Sequence, residues 1–248
     1  MSRSSALVLA LVSSLAVGAC APDPTANAPA ATVGEASAAA EGTAAAEASA
    51  PAEGTAAAEG TAAPAEASAP APAEASAPTP AAGGAALMFG PPTSTIGFVG
   101  SKVTASHECL VNRFTGTVNL PEDPTQASIV VEMDMTSVTA DNERLTGHLQ
   151  SPDFFDTATY PTASFVSSAI TAGAPAPATH TITGAFTLHG VTREISFPAT
   201  VTIAPEAVTA VAEFSINRSD FGIVYTGMAD DLIREGVLIK LNITAPRG

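Results

Sequence analysis

Residues 180–190 read HTITGAFTLHG, with Ile182, Phe186 and Leu188 on one parity and Thr181, Thr183 and Thr187 on the other. Successive side chains of a strand point to opposite faces, so this spacing gives one dry and one wet side. Gly190 suits a tight hairpin turn, and His189 falls on the wet parity. The same period recurs on both sides of this stretch. RFTGTVNL (113–120) sets Phe114, Val118 and Leu120, with Gly116, against Thr115, Thr117 and Asn119. ASIVVEMDM (127–135) sets Ile129, Val131, Met133 and Met135 against Glu132 and Asp134. AVTAVAEFSINR (207–218) aligns Val208, Ala210, Ala212, Phe214 and Ile216, and GVLIKLNITA (236–245) aligns Val237, Ile239, Leu241 and Ile243. With candidates at 94–108, 163–170 and 193–203, the chain predicts an all-β domain of about eight strands. Regular alternation is the mark of antiparallel sheet. Closing eight such strands into a barrel removes unpaired edges and leaves an interior wide enough for side chains or one small ligand. A two-sheet sandwich satisfies the same alternation, and periodicity does not separate the two.

One interruption is helical. In NERLTGHLQSPDFFDTATYPTASF (142–165), Leu145, His148 and Leu149 fall at helix spacing, Asp141 is the expected N-cap, and Ser151-Pro152 ends the turn. A short helix and a tight turn placed between two strands cap one end of a barrel. Phe154 and Phe155 are adjacent, so at least one enters the dry interior.

The N-terminus sets the context. Arg3, an apolar run from Ala6 to Val17, and the small residues Gly18 and Ala19 before Cys20 read as a secretory signal over 1–19, too short to span a bilayer as a helix. Val17-Gly18-Ala19-Cys20 resembles the lipobox of bacterial lipoproteins, which implies acylation of Cys20 and a periplasm-facing protein held on a membrane. Several acyl chains on one residue exceed the marginal anchoring of a single one. Ala21 after the cysteine favours the outer membrane by the same resemblance. Residues 20–85 are Ala-, Pro- and Glu-rich with loose repeats such as AEGTAA, and predict a flexible acidic tether with a reach on the order of 200 Å. All ten Phe and both Tyr lie beyond it, so residues 86–248 form the one folded domain. The net charge of −15 divides about equally between tether and domain, which argues against nucleic acid as a partner.

LTGHLQSPDFFDTATYPTASF, GAFTLHGVTREISFPA and INRSDFGI resemble the YceI-like family of lipid- or polyisoprenoid-binding proteins, in order and spacing, from Ala86 to Gly248. The resemblance implies a lipocalin-like antiparallel barrel with an elongated apolar cavity for a long-chain isoprenoid, and it leaves a homodimer open. The strand residues expected to line that cavity are Phe114, Val118, Ile129, Val131, Met133, Phe165, Phe186, Leu188, Phe214, Ile216 and Phe221. From the cap come Leu145, Leu149, Phe154 and Phe155, and small residues such as Ala210, Ala212, Gly116 and Gly184 leave room. Affinity for such a chain comes from apolar area removed from water, roughly 25 cal/mol per Å².

Arg144 and His148, one helical turn apart, and Arg218 are candidate headgroup contacts. Alternatively, Arg218 meets an acid within RSDFGI to pin the chain where a strand turns. Glu143, His148, Asp153 and Asp156 offer acid-base side chains, but no nucleophile motif accompanies them, so no catalytic residue is assigned. An enzyme acting on an isoprenoid lipid is the first rival reading. A metal or cofactor module using His107 and Cys109 is the second, without any Cys-X-X-Cys pair to support it. No metal or cofactor other than a bound lipid is expected. Cys109 is the lone cysteine of the domain, either a small buried hydrophobe or a partner in an intermolecular disulfide.

Overall fold

The computed structural model describes residues 21–35, 85–122, 126–229 and 231–247. The expected signal and Cys20 lie outside the described residues, as does most of the expected tether. One antiparallel sheet carries the fold. Its strands are β1 (Thr32–Glu35), β2 (Ala85–Phe89), β3 (Thr95–Ser101), β4 (Ser106–Val111), β5 (Phe114–Leu120), β6 (Ser128–Asp134), β7 (Val138–Ala140), β8 (Thr162–Ala172), β9 (His180–Leu188), β10 (Val191–Ile203), β11 (Ala207–Asn217) and, after a small hairpin of β12 (Gly227–Met228) and β13 (Asp231–Leu232), β14 (Gly236–Pro246). The order across the sheet is β2-β5-β6-β8-β9-β10-β11-β14-β3-β4-β7, with β1 on β10. The sheet curls so that the dry parity of every long strand faces one core. Near its ends, the hydroxyl of Ser94 donates to the Thr244 carbonyl at 3.2 Å and accepts from the Thr244 amide at 2.9 Å, tying the β2–β3 turn to β14.

The strand count exceeds the expected eight for local reasons. The 94–108 candidate is two strands, because Lys102 donates to the carbonyl of Ala105 at 2.8 Å and reverses the chain. β2, β7 and β1 are too short for periodicity to mark. The hairpin turn of the opening stretch forms as expected: His189 (φ 52°) and Gly190 (φ 71°) close Leu188 onto Val191 as a two-residue turn.

The tether expectation needs correction at its N-terminal end. Residues 21–35 lie on the barrel. β10 pairs with β11 only over Thr200–Ile203, and then the two strands part. β1 fills the gap: Thr32–Glu35 pair antiparallel with Arg193–Ser196, while Ala31 donates to the Ser215 carbonyl (2.8 Å) and Ser215 donates to the Pro29 carbonyl (2.9 Å) on the β11 side. Ala31 and Val33 pack against the core. Composition hid this, because a strand borrowed into an existing seam needs only free backbone groups and a few small apolar side chains.

The α-helix among the described residues, α1, spans Glu143–Gln150. Its N-cap is Asn142, whose side chain accepts from the Leu145 amide at 2.8 Å, one residue later than expected. Asp141 instead meets Nδ1 of His107 at 2.9 Å.

Candidate functional site

The dry faces of the strands do not fill the space between them. A cavity of about 250 Å³ runs along the barrel interior, from Ile203 and His180 at one end to Ile233 and Arg234 near α1. Protein interiors rarely hold voids larger than a water molecule, so a space of this size is a feature of the fold and not a packing defect. Its walls are almost wholly apolar. Among the described residues, the charged or titratable side chains that reach it are His180, Arg218 and Arg234. Aromatic rings divide the interior: Phe197 stacks on Phe214 at 4.1 Å with the planes 12° apart, Phe165 tilts against Phe197 at 5.8 Å, and Phe98 meets Phe155 edge-on at 5.6 Å.

Of the residues expected on the wall, Val118, Ile129, Val131, Met133, Leu149, Phe154, Phe155, Phe165, Phe186, Leu188, Phe214 and Ile216 line the cavity. Both cap phenylalanines turn inward. Phe114, Leu145 and Phe221 do not line it. Phe221 is fully buried and packs edge-on against Phe186 at 5.2 Å, holding the wall from behind. Ala210 and Ala212 leave room as expected, but Gly116 and Gly184 do not. A β-carbon on Gly116 would collide with the tip of the Phe89 ring, and one on Gly184 would collide with the Val166 carbonyl oxygen and lie 2.7 Å from Cζ of Phe165. Gly116 admits a neighbouring ring and Gly184 the backbone of β8, not a ligand. Sequence reasoning also missed wall residues such as Ile195, Phe197 and Ala199, although their alternation within 193–203 carried the signal.

The polar candidates part company. Arg218 is only 6% exposed and sits at the start of a 3-10 turn over Arg218–Phe221. Its guanidinium donates to three main-chain carbonyls: Nη1 to Ile223 (2.7 Å), Nε to Arg234 (3.1 Å) and Nη2 to Ile233 (3.4 Å). The expected contact with an acid of RSDFGI does not form, and the main-chain carbonyl of Asp220 accepts from Nε of Arg193 at 3.2 Å. Burial pushes the Arg218 pKa down, and the charge of Glu235 opposes that shift. Arg144 is exposed and lies off the cavity wall. His148 also lies off the wall: its Nε2 meets Asp153 at 3.0 Å, and its ring packs edge-on against Phe154 (4.9 Å) and Tyr225 (5.2 Å). It holds the cap to the loop before β12.

Cys109 is 3% exposed, and burial pushes its thiol pKa up to about 12. A thiol held protonated is a poor metal ligand. Among the described residues, no three His, Cys, Asp or Glu side chains come together as a metal site.

The YceI-like domain model matches residues 89–245, the whole of the curled sheet except β1 and most of β2. The chain belongs to the YceI-like family. Its relatives include a UPF0312 protein of Pseudomonas putida strain W619, 32% identical over 128 residues that cover 47% of this chain and 66% of that one. A UPF0312 protein of Pseudomonas syringae pv. tomato is 39% identical over 77 residues, covering 31% of this chain and 39% of the relative. The matched region spans just under two thirds of the length of the first of these. Among solved structures, Burkholderia cenocepacia BcnA superposes with a TM-score of 0.54 at 26% identity, covering 61% of this chain and 96% of BcnA. A polyisoprenoid-binding domain from Saccharophagus degradans superposes at 0.52 with 16% identity, covering 66% of this chain and all of that domain, and thus shares the fold. The all-β antiparallel architecture read from the sequence is the one observed, and these neighbours share it.

Proposed function

We propose that this YceI-like chain binds, and carries or stores, a polyisoprenoid or similar long-chain amphiphile, as a lipoprotein anchored through Cys20 and facing the periplasm. The observation that carries the reading is the apolar cavity of about 250 Å³ along the barrel axis. A chain of carbons with no hydrogen-bonding groups gains affinity only from dry surface, and this wall offers little else. The shared fold with a polyisoprenoid-binding domain supports the same class of ligand. Binding, not turnover, is the activity this geometry serves. His148 and Asp153 are engaged with each other at the cap, away from the cavity wall, so among the described residues no acid-base pair faces the space where the chain would lie. Organic extraction of freshly purified protein followed by mass spectrometry tests the proposal. We expect a long-chain amphiphile near one per barrel. An extract without one, together with no uptake of added polyprenyl lipid, overturns it.

A further inference from the structure

The end of the barrel that carries α1 is unlike the rest of the surface. Of the large apolar side chains exposed among the described residues, Val103, Val224, Met228 and Leu232 lie here. They are joined by backbone contacts. The amide of Val103 donates to the Leu232 carbonyl at 3.1 Å, and Lys102 bridges to Ile233. Within the β12–β13 hairpin, Gly227 faces Leu232 and Met228 faces Asp231. Cross-strand pairs alternate sides, so Met228 (71% exposed) and Leu232 (49% exposed) project from opposite faces of the ribbon. A two-stranded ribbon with an exposed apolar side chain on each face has no core to turn toward in water. Its one described acid is neutralised locally: Asp231 pairs with Lys102 and accepts from the Thr104 hydroxyl at 2.9 Å.

Residue 21 is fixed at this same end. The Ala21 amide donates to the Val103 carbonyl at 3.1 Å, and the Ala21 carbonyl accepts from Nη2 of Arg234 at 3.1 Å. Arg234 also reaches Asp23 at 3.6 Å. The residue before Ala21 is Cys20, the expected acylation point. Arg234 and Ile233, beside the ribbon, line the end of the cavity.

We propose that this end is a membrane-docking surface: Val103, Val224, Met228 and Leu232 lie in the headgroup and upper acyl region of a bilayer, beside the acyl chains on Cys20. The barrel is then held against the lipid, with the Ile233–Arg234 end of its cavity toward the bilayer, and not suspended at the end of a tether. This deepens the proposed function, since an amphiphile would pass between bilayer and cavity without crossing water.

The test uses the chain from residue 20 with Cys20→Ser, which retains every described residue but carries neither leader nor acyl group. The probe is vesicles of zwitterionic phosphatidylcholine and phosphatidylethanolamine, because the net charge of −15 repels anionic lipid. Co-sedimentation is expected, and Met228→Asp with Leu232→Asp should lower the partition coefficient by roughly tenfold or more. Leu110→Asp with Val211→Asp, exposed apolar positions elsewhere on the barrel, should leave it unchanged. A dye on Met228→Cys should shift to the blue when vesicles are added; Cys109, being buried, does not compete for it. Absence of co-sedimentation, an equal fall in both variant pairs, or an unshifted dye overturns the proposal. Amphiphile extracted from a protein that ignores vesicles sinks the docking surface alone, whereas vesicle binding by a protein with an empty extract sinks the cavity reading alone.

Discussion

Nη1 of Arg218 donates to the carbonyl oxygen of Ile223 at 2.7 Å, while the same guanidinium holds Arg234 and Ile233, so one buried cation joins the 3-10 turn after β11 to the chain leaving β13. No carboxylate lies within ion-pair distance of it among the described residues. Arginine does this work because its donors are fixed in a plane and spread over a fork. Arg218→Met should lower unfolding stability by about 2–3 kcal/mol, since it takes the donors away from the Ile223, Ile233 and Arg234 carbonyls. Arg218→Lys, a point donor, should recover only part of the loss. Equilibrium denaturation measures both, and an unperturbed Arg218→Met protein would remove this role.

The ring of Phe89 lies over Gly116 on the neighbouring strand, its direct cross-strand partner. Gly116→Ala places a methyl where the ring is and should destabilise by about 1–3 kcal/mol. Pairing it with Phe89→Leu should give back part of that cost, because the two positions compete for one space. Additive losses in the double-mutant cycle would show that the contact is not the cause.

Much of the barrel was legible in the sequence because each long strand buries one parity and wets the other, as in His180–Leu188. Positions such as Phe186 and Phe214 follow from that alternation. What stayed hidden depends on what faces what. Gly116 looked like free space until Phe89 was placed over it, and Gly184 until the Val166 carbonyl and the Phe165 ring were. Arg218 looked like half of an ion pair because adjacency in RSDFGI says nothing of the carbonyls at Ile233 and Arg234. β1 lies in a segment whose composition resembles a linker, and only the parting of β10 from β11 gives it a partner.

Whether the interior is truly hollow can be asked with one small residue. Ala212 is 6% exposed and lines the cavity between Phe214 and Ala210. In a filled core, Ala212→Leu would cost about 1–3 kcal/mol through overpacking. Against a cavity the added methylenes enter empty space, so stability should hold or rise while extractable amphiphile falls. Thermal denaturation and mass spectrometry of the extract, run on the same preparation, separate the two.

Cys109 should behave as a buried hydrophobe. Its folded pKa of about 12 stands above the ordinary thiol value of 9.0, chiefly from desolvation and secondarily from the charges of Asp141 and Glu108. The folded state therefore keeps a proton that the unfolded state releases above pH 9. Stability from this group is intact below pH 9 and is lost progressively as pH rises toward 12. Native protein at pH 8 should resist thiol reagents and react only as fast as it opens. Cys109→Ala should flatten the alkaline decline in stability; a decline of the same slope in that variant would assign it to other groups.

The seam between β10 and β11 offers the sharpest test of the N-terminal segment. Arg193–Ser196 on one side and Ser215 on the other have their outward backbone groups met by residues 29–35. Without that segment both edges are open, and open edges in a curled sheet exchange with solvent or pair with another copy. Closing the connection from Glu35 to Ala85 costs only slowly more as it lengthens, so insertion within one chain is favoured over exchange between chains. Protein that begins at residue 84 should therefore lose hydrogen-exchange protection at Glu194 and Ser196, melt lower than the full chain, and associate. Adding a synthetic peptide of residues 27–36 should restore protection at those amides, and Val33→Asp in the peptide, which puts a charge against the core, should abolish the rescue. Unchanged exchange in the truncated protein would mean that β10 and β11 close the seam without help.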